Sequence, residues 1–187
     1  MNEQRKKYLK ELKTEGLARN IPNVSKTVGK FLHFLVGMRK PKKVLEVGMA
    51  NGYSAIWMAD ALEVYGGDLV CYDFSENTVA EAIVNFKKCD LNNIEIRKTN
   101  PLREPIPDGE KYDFIFIDSQ KGFYHKCFEQ IIKKHLAVDG FAIFDDVLKF
   151  PEKTKKFTEI MEAETAYEKV ILPIDEDDGV MMVQLVC

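Results

Sequence analysis

Residues 44–54 read Val44-Leu45-Glu46-Val47-Gly48-Met49-Ala50-Asn51-Gly52-Tyr53-Ser54, a short apolar run, a turn with two glycines, and the opening of a helical pattern that continues to Leu62. A strand that feeds a helix this way returns to a parallel neighbour by a right-handed crossover. The neighbour is present: Asp68 to Tyr72 is strand-like and follows the turn Gly66-Gly67. The alternation continues downstream. Ser75 can cap a helix to about Cys89, Ile94 to Arg97 is a short strand, and Tyr112 to Ile117 is apolar enough to be buried on both faces. A helix is expected over Phe123 to Leu136, a strand over Gly140 to Phe144, and a helix from Pro151 to about Ala163. Lys169 to Leu172 and Val180 to Val186 flank the acidic turn Asp175-Glu176-Asp177-Asp178-Gly179 and should pair antiparallel at a sheet edge. The fold class is therefore α/β, with a mostly parallel sheet covered by helices.

Upstream, Tyr8, Leu12, Leu17 and Ile21 form a weak helical stripe closed at Ile21-Pro22. A second helix is expected from Ser25 to Met38, where Val28, Phe31, Leu32, Leu35 and Val36 recur at helical spacing before Pro41. One domain is expected over 1–187, with N-terminal helices to residue 40 and the α/β core from 41.

Of the 187 residues, 45% are hydrophobic and 30% charged, the balance of a globular chain with a real core. No apolar run approaches the ~18 residues a membrane span needs, and Met1 to Lys13 is charged where a signal peptide is apolar, so a cytoplasmic location is expected. Cys71, Cys89, Cys127 and Cys187 contain no C-x-x-C pair and indicate neither zinc nor a disulfide framework. The net charge of −3 hides an asymmetry: residues 1–43 hold 12 Lys/Arg against 3 Glu, a local +9. Such a segment suits a polyanion or simply a solvated helix face.

Ligands of open parallel sheets bind beyond the carboxyl ends of the strands, so those ends carry the chemistry. Gly48 and Gly52 allow close backbone approach next to a helix N-terminus, but the spacing is not G-x-G-x-x-G, which favours a nucleoside without a pyrophosphate. Asp73 ends the second strand 25 residues after Gly48, where a carboxylate can accept both hydroxyl protons of a ribose or serve as an N-terminal helix charge. Asp118 and the pair Asp145-Asp146 end two strongly apolar strands, and together they can offer hard oxygen ligands to a cation such as Mg²⁺. Lys121, three residues past Asp118, can reach the same rim, where a cation would lower its pKa toward that of a general base. His33, His125 and His135 have no ligand spacing, and Trp57 fits the core or the flank of an adenine ring.

These residues resemble the cation-dependent, S-adenosylmethionine (SAM) dependent O-methyltransferases of the catechol and caffeoyl-CoA type. The resemblance rests on Ile21-Pro22-Asn23-Val24-Ser25 with Gly29 to Leu32, Val44 to Gly48 with Gly52-Tyr53-Ser54-Ala55, Phe116-Ile117-Asp118 with Lys121, Asp145 to Leu148, and Leu172-Pro173-Ile174 with Asp178-Gly179. It implies the Rossmann-like class I methyltransferase sandwich, a seven-stranded sheet whose last strand is antiparallel. It implies SAM contacts from Val24, Glu46, Gly48, Met49, Gly52, Ser54, Asp73, Asn100 and Asp118, a metal on Asp118, Asp145 and Asp146, and Lys121 as catalytic base. The implied substrate is a small hydroxylated molecule, with a tRNA hydroxyuridine as the alternative and a SAM-binding scaffold without catalysis as a third reading. A homodimer is an assembly the family offers. Asp146 stands where relatives usually carry Asn, which should tighten a cation and weaken its Lewis acidity. The chain passes from Leu148 directly into the Pro151 helix, so an open acceptor pocket is expected.

Overall fold

The computed structural model describes residues 1–176 and 178–186, so Asp177 of the acidic turn and the predicted thiol Cys187 lie outside the described residues. Its elements run α1 (Glu3–Ala18), α2 (Lys26–Arg39), β1 (Lys43–Val47), α3 (Tyr53–Glu63), β2 (Asp68–Tyr72), α4 (Glu76–Lys88), β3 (Ile94–Arg97) and β4 (Tyr112–Ile117). A 3₁₀ turn (Lys121–Phe123), α5 (Tyr124–Cys127), a π turn (Phe128–Ile132) and α6 (Lys133–His135) then lead into β5 (Leu136–Phe144), α7 (Pro151–Ala163), β6 (Tyr167–Asp175) and β7 (Asp178–Leu185). The seven strands are ordered β3-β2-β1-β4-β5-β7-β6. Pairings β2/β3, β1/β4 and β4/β5 are parallel, while β7 runs antiparallel to both β5 and β6. This is the expected α/β class I methyltransferase sheet with its reversed last strand. Among the described residues no helix is long and apolar enough to cross a membrane.

The chain forms two compact units, one of Met1–Lys42 with Met49–Thr99 and one of Lys43–Gly48 with Asn100–Cys187. In the first, α1 buries Arg5, Leu9, Leu12 and Gly16 at helical spacing. This corrects the expected stripe: only Leu12 is shared, Leu17 is exposed, and Ile21 lies beyond the helix. The reason is that Arg5 is a core residue. Its guanidinium donates to the carbonyls of Cys89 (2.7 Å) and Asp90 (3.0 Å), to Asp60 (2.8 Å) and to Glu63 (2.6 Å). Every donor has an acceptor, which is the condition for burying a charge. Asp60 also meets His33 Nε2 at 2.9 Å. Burial would raise the Asp60 pKa, but these partners outweigh it and hold the carboxyl at about 2. Cys71, Cys89 and Cys127 are buried and form no disulfide among the described residues.

In the second unit, β4 is covered on both faces, as its apolar run requires. Phe114 stacks on Phe141 of β5, and Tyr124, Phe128, Phe144 and Phe157 form an aromatic cluster beneath α7. The expected continuous helix Phe123–Leu136 is instead broken by the π turn, and Leu136 already belongs to β5. One extra residue in the turn keeps Tyr124, Phe128, Ile131 and Ile132 all inside. His135 is buried at the helix end, its Nδ1 2.9 Å from the Glu110 carbonyl.

The parallel ladder runs on past the strands. Asp118 N–H donates to the Val47 carbonyl at 2.9 Å, and Asp145 N–H donates to that of Ile117 at 3.0 Å, so the ends of β1, β4 and β5 share one rim. Gly48 sits there with φ +98°, and a Cβ on it would stand 2.1 Å from the Asp118 carbonyl oxygen.

Two stability measurements follow. Because the folded Asp60 pKa of about 2 lies below the ordinary carboxylate value of 3.8, its contribution is complete above that value and is lost as pH falls from about 4 to about 2. Urea unfolding should show Asp60→Asn less stable than the parent by about 2 kcal/mol at pH 6, with the gap closing toward pH 2; a gap independent of pH would contradict the assignment. Gly48→Ala combines a left-handed φ with a backbone collision and should cost about 3 kcal/mol. Gly109→Ala, whose φ is +85° in open space, should cost about 1 kcal/mol; equal losses would deny the close approach.

Candidate active site

In the second unit, Asp118 follows β4 and Asp145 follows β5, on strands paired in parallel. Asp146 adopts a left-handed backbone, φ +52°, which an Asp tolerates better than most residues. Next to it, Val147 N–H bonds the Gly179 carbonyl at 3.0 Å and the buried Thr154 hydroxyl donates to the Val147 carbonyl at 3.1 Å. One carboxylate oxygen from each of Asp118, Asp145 and Asp146 lies within 4.8 Å of the others. Lys121 on the 3₁₀ turn bridges two of them, with Nζ 2.7 Å from Asp118 Oδ1 and 3.0 Å from Asp146 Oδ2. Lys149 Nζ is 3.8 Å from Asp146 Oδ1.

Three carboxylates crowded beside one ammonium cannot all titrate normally. Burial pushes Asp145 well above the carboxylate range, and the charges of Asp118 and Asp146 push it further. Asp118 is raised by burial despite the opposing pull of Lys121. For Asp146 burial acts upward, but a hydrogen bond with Asp178 and the charge of Lys121 outweigh it, so its pKa falls. Asp178 takes the complementary shift to about 6, through burial and its bond with Asp146. Lys121 moves opposite to the direction expected beside a cation: burial would lower its pKa, but Asp118, Tyr124 and Asp146 outweigh burial and raise it. With the carboxylates of Asp118 and Asp146 in direct contact with Nζ, the ammonium is the stabilised form.

Two participants were not legible in the sequence. Tyr124 is fully buried, and its hydroxyl donates to the Asp145 carbonyl at 2.8 Å while its ring lies 5.4 Å from Lys121 Nζ. It ties the end of β5 to the lysine turn, yet in sequence it is one aromatic among many core candidates. Asp178 accepts from Gly179 N–H and Lys149 N–H and holds Asp146. In sequence Asp178 enters only through the acidic turn and the Asp178-Gly179 segment of the resemblance, neither of which assigns it a place beside Asp146.

In the first unit, Gly52 begins α3 with φ +84° and no side-chain cap. Asp73 Oδ2 accepts from Ala50 N–H at 2.8 Å, and Oδ1 accepts from Ser75 N–H at 2.9 Å. The carboxylate thus fastens the glycine turn to the start of α4, and Ser75, the expected cap, makes no side-chain cap bond. Met49 and Ser54 are buried, and the Val24 carbonyl accepts from Lys13 Nζ at 2.9 Å. Trp57 is buried between His33 and Tyr53. In the second unit Glu46 is fully buried in β1, and half-buried Asn100 caps its own turn, its Oδ1 accepting from Leu102 N–H at 2.9 Å.

The O-methyltransferase family profile matches residues 1–186. The chain is 29% identical over 180 residues to a catechol O-methyltransferase of Niastella koreensis, covering 86% of this chain and 80% of that protein. It is 29% identical over 151 residues to a caffeoyl-CoA O-methyltransferase of Stellaria longipes, covering 75% of this chain and 61% of that longer enzyme. The crystal structure of an O-methyltransferase from Bacillus cereus with S-adenosylhomocysteine bound superposes with a TM-score of 0.81 at 29% identity, over 95% of this chain and 90% of that one. A Podospora anserina methyltransferase, also bound to S-adenosylhomocysteine, shares the fold with a TM-score of 0.89 at 18% identity, over 100% and 89% of the two chains. On this profile, these relatives and this sheet, the chain belongs to the O-methyltransferase family: it is a SAM-dependent O-methyltransferase of the class I fold.

Proposed function

We propose that the protein methylates a hydroxyl oxygen of a small catechol-like acceptor, assisted by a divalent cation on Asp118, Asp145 and Asp146. The observation that carries this reading is the gathering of three carboxylate oxygens within 4.8 Å, two of the carboxylates being bridged by Lys121. The donor set fits the group: it is all oxygen, anionic and partly buried, as Mg²⁺ prefers. When bound, the cation supplies a Lewis acid that acidifies an acceptor hydroxyl, and SAM supplies the electrophilic methyl.

The chain's own residues do the rest. Asp118, Asp145 and Asp146 bind, and the extra charge of Asp146 over the family's usual Asn is balanced by Lys121 and Lys149. Lys121 Nζ takes the hydroxyl proton as the O–CH₃ bond forms and the S–CH₃ bond breaks, leaving S-adenosylhomocysteine. Asp118 and Asp146 would hold the cation with the same oxygens that now hold the Lys121 ammonium, and in that state the ammonium would give its proton to solvent, leaving Nζ as the neutral amine that can accept the hydroxyl proton. Asp73 receives the ribose hydroxyls, for which its two oxygens are already fixed in place by backbone N–H groups. Gly48, Met49, Gly52 and Ser54 receive the methionine part, Asn100 lies near the adenine, Val24 lines the entrance, and Glu46 and Asp118 support the cofactor contacts. The catechol class follows the named activity of the Niastella relative; a tRNA acceptor has no comparable support.

Transfer of labelled methyl from SAM to catechol should require Mg²⁺, and Lys121→Ala or Asp145→Ala should lower kcat about 10²-fold or more. Full activity in excess EDTA, or in either variant, would reject the proposed machinery. Label reaching undermodified tRNA but not catechol would move the acceptor to nucleic acid.

A further inference from the structure

The lysines of the basic N-terminal quarter are not spread evenly over a solvated face. In the first unit, α1, α2 and α3 enclose a cavity of about 560 Å³. Its floor is apolar: Leu9, Tyr53 and Trp57 are all buried. Gly29 makes the floor possible, because a Cβ there would stand 2.4 Å from the Trp57 indole nitrogen. The rim is cationic, carrying Lys6, Lys10, Lys13, Lys26 and Lys30 and no acidic residue.

Two of these charges are spent within the fold. Lys13 Nζ donates to the carbonyls of Asn23 and Val24 at 2.7 and 2.9 Å, and Lys6 pairs with Glu3. The ammonium groups of Lys10, Lys26 and Lys30 have no ion-pair or hydrogen-bond partner among the described residues. Three uncompensated like charges around one concavity repel one another, and an anion seated among them relieves that repulsion. The residue type also discriminates. No arginine offers a planar fork for a carboxylate, whereas lysines act as mobile point charges suited to phosphate oxygens.

We propose that this cavity binds a small amphipathic organic phosphate, its apolar body on Leu9, Tyr53 and Trp57 and a diphosphate-type head on Lys10, Lys26 and Lys30. None of these residues belongs to the proposed cation or SAM machinery, so the site is an additional one. It also gives the charge asymmetry of the sequence a definite ligand class.

Trp57 is the chain's single tryptophan, so intrinsic emission reports on the floor directly. The full chain, in EDTA to keep divalent ions off the head group, is titrated with geranyl diphosphate, which is transparent at the excitation wavelength. Inorganic pyrophosphate and geraniol are run separately as head and body alone. Geranyl diphosphate should give a saturable change in Trp57 emission at a midpoint at least tenfold below either half. The double variant Lys10→Glu/Lys30→Glu should raise that midpoint tenfold or more, and Lys10→Gln/Lys30→Gln should raise it by less with an unchanged thermal midpoint. Pyrophosphate binding as tightly as the whole probe would reduce the site to a charge patch, and geraniol doing so would reduce it to an apolar patch. Either result, no saturable response, or an unmoved midpoint in both variants would overturn the proposal.

Discussion

Two backbone hydrogen bonds set the candidate site: Asp118 N–H on the Val47 carbonyl and Asp145 N–H on the Ile117 carbonyl. Each extends a parallel ladder one residue past its strand, so the side chains that follow β4 and β5 must leave the sheet on the same rim. Everything in the site is hung on that constraint. Gly48 leaves room for the Asp118 backbone, and the Tyr124 hydroxyl holds the end of β5 from below. The aromatic cluster under α7 keeps Tyr124 itself from moving. Packing, rather than the carboxylates, supplies the stability, because the acids gathered on the rim repel one another.

The electrostatics explain why the gathering survives. Lys121 lies between Asp118 and Asp146, Lys149 stands 3.8 Å from Asp146, and burial with the Asp146 bond pushes Asp178 up to about 6. Asp145, the most buried of the three, is driven furthest from the carboxylate range. A cation on the proposed site would relieve both burial and mutual repulsion, which is the physical ground of that proposal.

The large features were legible because they are repeated signals. Tyr112 to Ile117 has enough consecutive apolar residues to announce a central strand, and acids directly after such runs stand out. The misreadings arose where the folded environment overrides residue type. Arg5 is charged, so no apolar stripe includes it, yet four acceptors on other elements make it a core residue. The π turn within 128–132 leaves no local mark in the sequence because its cause is the aromatic cluster it faces. Tyr124 and Asp178 act through partners far away in the chain, and the direction of the Lys121 shift depends on charges that only the folded rim brings together.

The central claim is that Asp118, Asp145 and Asp146 form one cation site that Lys121 shares. A crystal structure of the protein soaked in Mn²⁺, read by anomalous scattering, tests it most directly. The account predicts one peak in contact with oxygens of all three aspartates, with Lys121 Nζ no longer bridging Asp118 and Asp146. A peak elsewhere, or no peak with the Lys121 bridge intact, would contradict it.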